Sequence, residues 1–204
     1  MIDEKIKFRQ LIINKLNNKS TQLFIIITTI YAKFLFKLMG VNYGRNLVVR
    51  GWIRLKNMGN IVIGDNCTIE SRENNVGFNT YTMIRVGRNA DLIIGDNVGI
   101  ANTHIHCYKS ITIMDNAGLG GGCELMDTNF HELYYQDRKD KKGNIIKCPI
   151  IIGRGVFVGS SCIILKGVTI GDYSIIGSGS VVTKNIGGGE VWGGNPANMI
   201  RKSL

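Results

Sequence analysis

Proline and histidine are scarce in this 204-residue chain, which holds two prolines, three histidines and fewer acidic than basic residues. Although 26 glycines are present, no Gly-X-Y repeat occurs, so a collagen-like structure is excluded. The hydrophobic content of 44% is too high for a disordered chain. The five cysteines are an odd number without paired CxxC spacing, which argues against a structural zinc or a dithiol redox site. No cleavable signal pattern is found either, and a reducing cytoplasm is therefore the expected location.

The shortage of acidic residues is most marked at the N-terminus. Residues 1–56 contain eleven Lys and Arg against Asp3 and Glu4, which accounts for nearly all of the formal net charge of +10. Such a segment can contact nucleic acid, anionic lipid or an anionic substrate, or it can be the solvated face of a helix. Because no aromatic-basic module accompanies the charge, nucleic-acid binding is not expected.

A helix is predicted over residues 4–39, which contain neither glycine nor proline. Its uncharged run covers only residues 21–32 before Lys33 and Lys37, so we expect it to be too short and too charged to cross a bilayer. Packing on the main domain or on a partner subunit is the favoured interpretation. The alternative is a peripheral membrane contact through residues 5–39, with the apolar face in the headgroup region. We expect a helical segment over residues 1–44 and a second domain over 45–204.

The second domain carries a six-residue repeat. Six is a multiple of two, so the repeated aliphatic side chains all face the same side of a strand, which is incompatible with a helix. Short strands joined by turns and stacked about 4.8 Å apart would bury one continuous aliphatic column. The sequence therefore predicts a mainly β fold, a parallel β-helix. The clearest run of repeated positions is Ile152, Val158, Ile164, Ile170, Ile176 and Val182.

The same register places most cysteines inside the coil. Cys67, Cys123 and Cys162 fall on small inward positions and Cys107 on an aliphatic one, so we expect inert core thiols. It also turns His104 and His106 outward, on either side of an inward isoleucine.

The repeat, its interruption and the ending "VVTKNIGGGEVWGGNPANMIRK" together resemble the hexapeptide-repeat acyltransferases, and most of all the sugar and polysaccharide O-acetyltransferases. The resemblance covers residues 45–202 and implies a left-handed β-helix with a protruding loop at 128–149 and a CoA-end segment at 186–204. It further implies a homotrimer with active sites between subunits, acetyl-CoA as cosubstrate and no metal.

The resemblance also implies a catalytic base. The family's histidine lies where the coil gives way to the loop, and His131 in "DTNFHE" matches it. A sugar hydroxyl attacks a thioester only when its proton is withdrawn, a task that suits imidazole. Asp127 is the candidate that orients the imidazole, with Glu132 or a backbone carbonyl as rivals. The alternatives are a solvated loop histidine for His131 and a turn cap for Asp127.

The cofactor-binding candidates are also implied by the resemblance. Ser160 matches a position that touches CoA or the reacting group, while Phe157 replaces a usual tryptophan. Asn198 replaces a usual basic residue, a departure for which Lys202 or Lys166 could compensate. The candidates for the pantetheine arm and the phosphates are Ser178, Thr183, Lys184 and Arg201.

The acceptor site is the least specified part of the resemblance. Asn102 takes the place of an asparagine that touches the sugar in the galactoside enzymes, and His106 points outward nearby. Tyr134, in the protruding loop, could stack on a sugar face or anchor the loop. We therefore expect acetyl-CoA-dependent O-acetylation of a sugar or glycan intermediate for capsule, O-antigen or exopolysaccharide synthesis, in the cytoplasm or at the inner face of the membrane. The alternatives are N-acetylation of a nucleotide-linked amino sugar, a γ-type carbonic anhydrase and a noncatalytic scaffold.

Overall fold

The computed structural model describes residues 2–72, 81–140 and 143–202, and it describes the side chains from residue 18 onward. Within this part of the chain, two helices and twenty short strands are present. They are α1 (Ile2–Leu38), β1 (Asn42–Tyr43), β2 (Val48–Gly51), β3 (Arg54–Asn57), β4 (Asn60–Ile63), β5 (Thr68–Ser71), β6 (Met83–Val86), β7 (Asp91–Ile94), β8 (Gly99–Ala101), β9 (His104–Cys107), β10 (Ser110–Ile113), β11 (Gly118–Leu119), β12 (Glu124–Met126), α2 (Tyr135–Asp140), β13 (Ile150–Ile152), β14 (Phe157–Val158), β15 (Ile163–Leu165), β16 (Thr169–Ile170), β17 (Ile175–Ile176), β18 (Val181–Val182), β19 (Glu190–Gly194) and β20 (Ala197–Lys202).

The strands form three parallel sheets, and up to β18 each strand pairs with the strand three places along the chain. Sheet A has the order β1-β4-β7-β10-β13-β16, sheet B the order β2-β5-β8-β11-β14-β17-β19-β20, and sheet C the order β3-β6-β9-β12-β15-β18. The chain therefore winds around a three-sided coil, which confirms the predicted left-handed parallel β-helix. An antiparallel pair, β19 and β20, closes sheet B.

The core is the predicted aliphatic column. Successive repeats place Ile152 in sheet A, Val158 in sheet B and Ile164 in sheet C, and the next coil returns to the same three sheets. The registers pair each residue with its counterpart one coil later, as Ile152↔Ile170, Val158↔Ile176 and Ile164↔Val182. All six side chains are fully buried. Each contributes about 1.5–3 kcal/mol of hydrophobic stabilisation relative to an exposed side chain.

Several glycines lie in Gly-Asp-Asn turns, where a neighbouring coil leaves no room for a side chain. At the corner between sheets A and B, the Asp65 carboxylate accepts the backbone N–H of Arg45, and the Asp96 carboxylate accepts the N–H of Asp65, both at 2.7 Å. A Cβ at Gly64 would lie 2.3 Å from the Asp96 carboxylate, so this position must be glycine. The stacked aspartates thus accept hydrogen bonds from turn N–H groups that have no partner in the strands.

Helix α1 confirms the predicted helix and packs on the first coil. Thr28, Ala32 and Phe36 are fully buried on one face. The Thr28 hydroxyl donates to the carbonyl oxygen of Val49 at 2.8 Å and accepts the N–H of Gly51 at 3.2 Å. The favoured interpretation, packing on the main domain, is therefore confirmed.

The opposite face of α1 is apolar and exposed. Residues Asn18–Leu38 form a 21-residue stretch that is long and apolar enough to cross a membrane, and only 17% of its most apolar window is buried. The prediction that this segment is too short and too charged to span is therefore wrong by length and composition, because its three lysines only partly offset the apolar residues around them. The exposed apolar side chains are Leu23, Ile26, Ile27, Ile30, Tyr31, Phe34 and Leu38.

The cysteines lie where the register predicts. Cys67, Cys107, Cys123 and Cys162 are buried in the coil, and all five cysteines are free thiols. Burial raises the pKa of Cys67, and it raises the pKa of Cys107 to about 12. A thiol that stays protonated is a poor nucleophile, which agrees with the inert role predicted for Cys67 and Cys107.

Candidate active site

The coil is interrupted between β12 and β13, where the chain leaves sheet C and returns to sheet A. The base of this excursion is held by backbone hydrogen bonds: Cys148 N–H donates to the carbonyl of Asp127 at 2.9 Å, and Asn129 N–H donates to that of Ile146 at 3.1 Å. The segment that was expected to be a loop contains the short helix α2. It therefore has a fixed base and one helical turn above it.

His131 lies at the start of this excursion, as the sequence predicts. It is exposed and lines a cavity of about 440 Å³. The preceding residue, Phe130, has a φ of 61°, and its ring packs edge-on against His106 at 5.2 Å between centroids. This left-handed residue redirects the chain at the corner of the coil and sets the position of His131. The cavity is lined by Phe130, His131, Glu132, Asp137, Arg138, Gly143 and Ile145.

Asp127 is a buried turn cap. One carboxylate oxygen accepts the N–H of Tyr108 at 2.7 Å, and the other accepts those of Lys109 at 2.6 Å and Ser110 at 2.9 Å. Burial raises the pKa of Asp127, while the three amide donors oppose that shift. The structure thus shows the turn-cap alternative, and the orienting role of Asp127 stays a prediction.

Glu132, the rival carboxylate, lines the same cavity as His131. Its Oε1 is buried, and among the described residues it has no hydrogen-bond partner. This oxygen has therefore a free acceptor capacity that Asp127 largely lacks.

Asn102 is fully buried in a single chain, and its expected contact with the acceptor stays a prediction. Its side chain is fully buried and brackets the backbone of Arg72: Nδ2 donates to the Arg72 carbonyl at 2.9 Å, and Oδ1 accepts the Arg72 N–H at 3.1 Å. Both polar ends of the amide are used to hold the chain before the undescribed residues 73–80. Asn102 therefore positions the backbone of Arg72.

The other two acceptor candidates lie in different places. His106 is half-buried on the outer face of sheet C, beside His104 and Phe130. Burial lowers the pKa of His106, and the nearby Arg85 and His104 lower it further, so the imidazole is neutral at pH 7. Tyr134 is 76% exposed and immediately precedes α2. His106 is thus close to the base of the loop, and Tyr134 lies out on the loop itself.

The CoA candidates flank sheet C on the C-terminal coils. Ser160 follows β14 and Ser178 follows β17, so both lie at the corner between sheets B and C, one coil apart. Thr183 and Lys184 follow β18 at the corner between sheets C and A. The structure therefore places these four residues at the two corners of the coil that border sheet C.

The chain end carries Arg201, the remaining CoA candidate, on the same strand as Asn198, which Lys184 contacts. Lys184 Nζ donates to Asn198 Oδ1 at 3.3 Å and lies 5.2 Å from the centre of the Trp192 ring. Arg201 is exposed on β20, which pairs with β19. Asn198, the departure from the family pattern, is thus the residue that holds Lys184.

The sequence reasoning missed a group of basic and aromatic residues on the outer face of sheet C. Arg54 donates to the Tyr81 hydroxyl at 2.7 Å, and its guanidinium lies 3.9 Å from the centre of the Tyr81 ring. Lys56 and Arg85 lie beside them in paired strands. Their alternation along β3 and β6 could have been found by extending the inward register toward the N-terminus. Among the residues that the structure describes, no cluster of three or more His, Cys, Asp or Glu could hold a metal ion.

The comparisons with known proteins agree with this architecture. Residues 149–184 match the family model described as "Bacterial transferase hexapeptide (six repeats)". A galactoside O-acetyltransferase of Escherichia coli K12 is 35% identical over 140 residues, which are 69% of this chain and 63% of that protein. The chain thus spans less than two thirds of this relative's length.

Two solved structures give the same result. A galactoside acetyltransferase in complex with coenzyme A superposes with a TM-score of 0.56 and 29% identity, over 80% of this chain and 65% of that chain. An N-acyltransferase from Bacillus cereus, in complex with dTDP-4-amino-4,6-dideoxyglucose and coenzyme A, superposes with a TM-score of 0.68 over 85% of this chain and 89% of that chain. Its 20% identity shows the fold alone.

Proposed function

The chain belongs to the bacterial transferases built from hexapeptide repeats, and from this we propose that it is an acetyl-CoA-dependent O-acetyltransferase acting on a sugar or glycan intermediate. The observation that carries the proposal is the position of His131. It lines a 440 Å³ cavity directly where the chain leaves the coil after β12. This strand belongs to sheet C, and the CoA candidates lie at the corners that border the same sheet. Such intermediates occur in the synthesis of capsule, O-antigen and exopolysaccharide.

In the proposed reaction His131 removes the proton of the acceptor hydroxyl as its oxygen attacks the thioester carbonyl. The tetrahedral oxyanion is stabilised by a hydrogen-bond donor near Ser160. It then collapses with loss of the CoA thiolate, which takes up the proton from the imidazolium. The free Oε1 of Glu132 supports this carboxylate as the orienting group of the histidine, with the occupied Asp127 as its rival.

The donor is held by the C-terminal coils in this proposal. The stacked Ser160 and Ser178 would contact the pantetheine arm, together with Thr183 at the opposite edge of sheet C. Lys184 and Arg201 would meet the phosphates, since both are exposed cations at the chain end.

The test is thiol release from acetyl-CoA with a panel of neutral glycans, nucleotide sugars and an amino sugar. We expect release to require one class of acceptor and His131→Ala to lose about a hundredfold or more in kcat. Leu133→Ala, a change of an exposed side chain two residues away in the same loop, is the matched control and should keep its rate. A His131→Ala variant at full rate would remove His131 as the base, and acetylation of the amine alone would favour N-acetylation.

We further propose a homotrimer in the cytoplasm, with the active sites between subunits. The proposal is supported by the open cavity at His131, because proteins of this family usually complete their active sites with residues of a neighbouring subunit. Sedimentation equilibrium tests this, and a monomer with full activity contradicts it.

We also propose that α1 contacts anionic lipid at the inner face of the membrane. Its exposed face carries Ile30 and Phe34, 63% and 68% exposed, on a helix that has seven basic and two acidic residues. Because Thr28 and Ala32 are packed on the coil, a helix that keeps these contacts lies along the surface and does not span.

Vesicle flotation tests the membrane contact. The full-length protein should float with phosphatidylglycerol vesicles and less with phosphatidylcholine vesicles. Ile30→Asp with Phe34→Asp should abolish flotation, whereas Tyr173→Asp, at a 67% exposed residue of the coil, should not. If the double variant instead loses its oligomeric state, the helix face is a contact between copies.

A further inference from the structure

The outer face of sheet C is divided into two halves. The CoA candidates flank β15 and β18 at one end, and His131 follows β12 in the middle. The remaining strands, β3, β6 and β9, carry outward cations and histidines to which the reaction as proposed assigns no role. We propose that this second half, called here the basic strip (Arg54, Lys56, Arg85, His104 and His106), binds a phosphoryl group of the acceptor. The inference rests on the proposed function and specifies its substrate class.

The strand register brings the strip together. The pairing of β3, β6 and β9 aligns Lys56, Arg85 and His106 in one column. Arg54 and His104 lie in the neighbouring column, separated by Met83. Adjacent strands are about 4.8 Å apart, so each column spans about 10 Å. A surface cavity of about 200 Å³ is lined by Arg54, Lys56 and Arg85 together with Leu55, Met83 and Ile84.

Within the part of the chain that the structure describes, no ion pair neutralises the charges of the strip. Elsewhere on the N-terminal coils, arginines are paired: Arg45 with Asp65 at 2.6 Å and Arg50 with Glu70 at 2.9 Å. Within the described ranges, no carboxylate lies within salt-bridge distance of the three cations of the strip. An acidic residue of the same face, Glu124, is the register partner of His104 in the neighbouring strand β12, which lies toward the CoA end. The strip is therefore positive at its N-terminal end.

Arg54 is also held in place. The Tyr81 hydroxyl accepts its Nη1–H at 2.7 Å, and the Tyr81 ring covers its guanidinium. Tyr81 in turn packs against His104, at 5.5 Å between ring centres. A pre-positioned guanidinium loses less entropy when it binds an anion, and its planar donors match phosphate oxygens.

The histidines join the strip to the cavity of His131. His104 Nε2 and His106 Nδ1 are buried and have no hydrogen-bond partner among the described residues. Each is a polar atom whose burial is unfavourable until a ligand or a water pairs with it. His106 packs on Phe130, the residue before His131. A sugar beside His106 would thus have its reacting hydroxyl toward His131, with its phosphate over Arg85 and Lys56, about 5–10 Å away.

This geometry fits a sugar that carries a phosphate or diphosphate at the end opposite its reacting hydroxyl. Two sources share that chemistry: a nucleotide-linked sugar and a lipid-diphosphate-linked glycan. The Tyr81 ring could face a nucleotide base in the first case, whereas the second case would agree with a membrane contact of α1. The strip itself recognises the phosphoryl group that both contain.

Steady-state kinetics on the full-length protein tests the proposal. The acceptors are a neutral glycan, a nucleotide diphosphate sugar and a polyprenyl-diphosphate-linked sugar in detergent. We expect Arg85→Ala to raise the KM of the phosphorylated acceptor about 10–100-fold, with the KM of acetyl-CoA unchanged. Arg85→Lys should raise this KM by a smaller factor, because lysine keeps the positive charge but lacks the planar set of donors of a guanidinium. Arg88→Ala, at an exposed arginine of the next turn, is the matched control.

Three results would overturn the proposal while the acetyltransferase activity stands. The first is a neutral glycan as the best acceptor, with inorganic pyrophosphate at 10 mM unable to compete against it. The second is an unchanged acceptor KM in Arg85→Ala. The third is loss of the oligomer in that variant, which would make the strip a subunit interface. Failure of the proposed function looks different, since then no acceptor drives CoA release or His131→Ala keeps its rate.

Discussion

The C-terminal coils and the excursion between β12 and β13 are organised in opposite ways. From Ile150 to Val182 every sixth side chain is buried, and each coil repeats the register of the one before. In the excursion the strand pairing stops, α2 has no buried residue, and the side chains surround a cavity. One region gains stability from repetition, and the other presents side chains that repetition would bury.

The difference teaches where chemistry can reside on such a fold. In a regular coil the outward positions form straight columns, which can bind an extended ligand but cannot converge on one atom. An interruption releases the chain at a corner, so that residues of different heights surround one space. Asp127 marks the boundary, because it closes the neighbouring turn while the chain beyond it leaves the coil.

Thiol reactivity should separate the two regions most strongly. The coil thiol of Cys107 is buried, and with a pKa of about 12 roughly 1 in 10,000 of its molecules is ionised at pH 8. Cys148, at the base of the excursion, is only half-buried. We expect iodoacetamide at pH 8 to modify Cys148 first, about a thousandfold faster than Cys107. Mass spectrometry identifies it, Cys148→Ser should remove it, and a second fast thiol would show that the coil opens.

A matched pair of isoleucines tests how much the column contributes to stability. In β17, Ile176 is fully buried, whereas its neighbour Ile175 is 39% exposed. We expect Ile176→Ala to lower the free energy of unfolding by about 2–5 kcal/mol, since it opens a cavity between two coils. Ile175→Ala should change it by about 0.5 kcal/mol or less. Chemical denaturation measures both, and equal losses would show that the outer face is as tightly packed as the core.

The regular region could be predicted almost completely from the sequence. A period of six fixes which side chains face inward, and Ile152, Ile164 and Ile176 all follow it. The packing of α1 was also favoured correctly, but its hydrogen bonds from Thr28 could not be read from a pattern, because they depend on where the first coil begins.

The site was predicted less completely, for a physical reason. His131 followed from the resemblance and does line a cavity. Asn102 was expected to face a sugar, yet its amide holds the Arg72 backbone, since a buried amide must pair with whatever polar group is near. The basic strip was missed because Arg54 and Arg85 are distant in sequence and meet only through the register of β3 and β6.

Mutation of Asp127 should destabilise the point at which the excursion leaves the coil. Replacement by asparagine leaves one acceptor oxygen for three backbone N–H donors, so we expect Asp127→Asn to lose about 1–3 kcal/mol of unfolding free energy. Asp96→Asn should lose less, because an exposed carboxylate that accepts one N–H can be replaced by an amide oxygen.

The loss in Asp127→Asn should depend on pH. Burial raises the pKa of Asp127, so the native state binds this proton more tightly than the unfolded chain. That contribution stabilises the native protein at acidic pH and is lost as the pH rises through the raised pKa. The stability difference between the wild type and Asp127→Asn should thus be larger at acidic than at neutral pH in urea titrations. A difference that grows with pH would show that the amide donors outweigh burial.

The smallest stability effect, with a clear effect on activity, is expected for Arg138. From α2 its guanidinium donates to the carbonyl oxygens of Glu132 and Leu133, just after His131. Because Arg138 is exposed, Arg138→Ala should change the unfolding free energy by about 0.5 kcal/mol or less. It should nevertheless lower kcat/KM about tenfold or more, since the chain beside the base is no longer held in position. Lys139→Ala, the neighbouring cation of α2, should keep both values. If Arg138→Ala keeps full activity, α2 does not position His131, and the excursion is organised from its base at Asp127 and Cys148 alone.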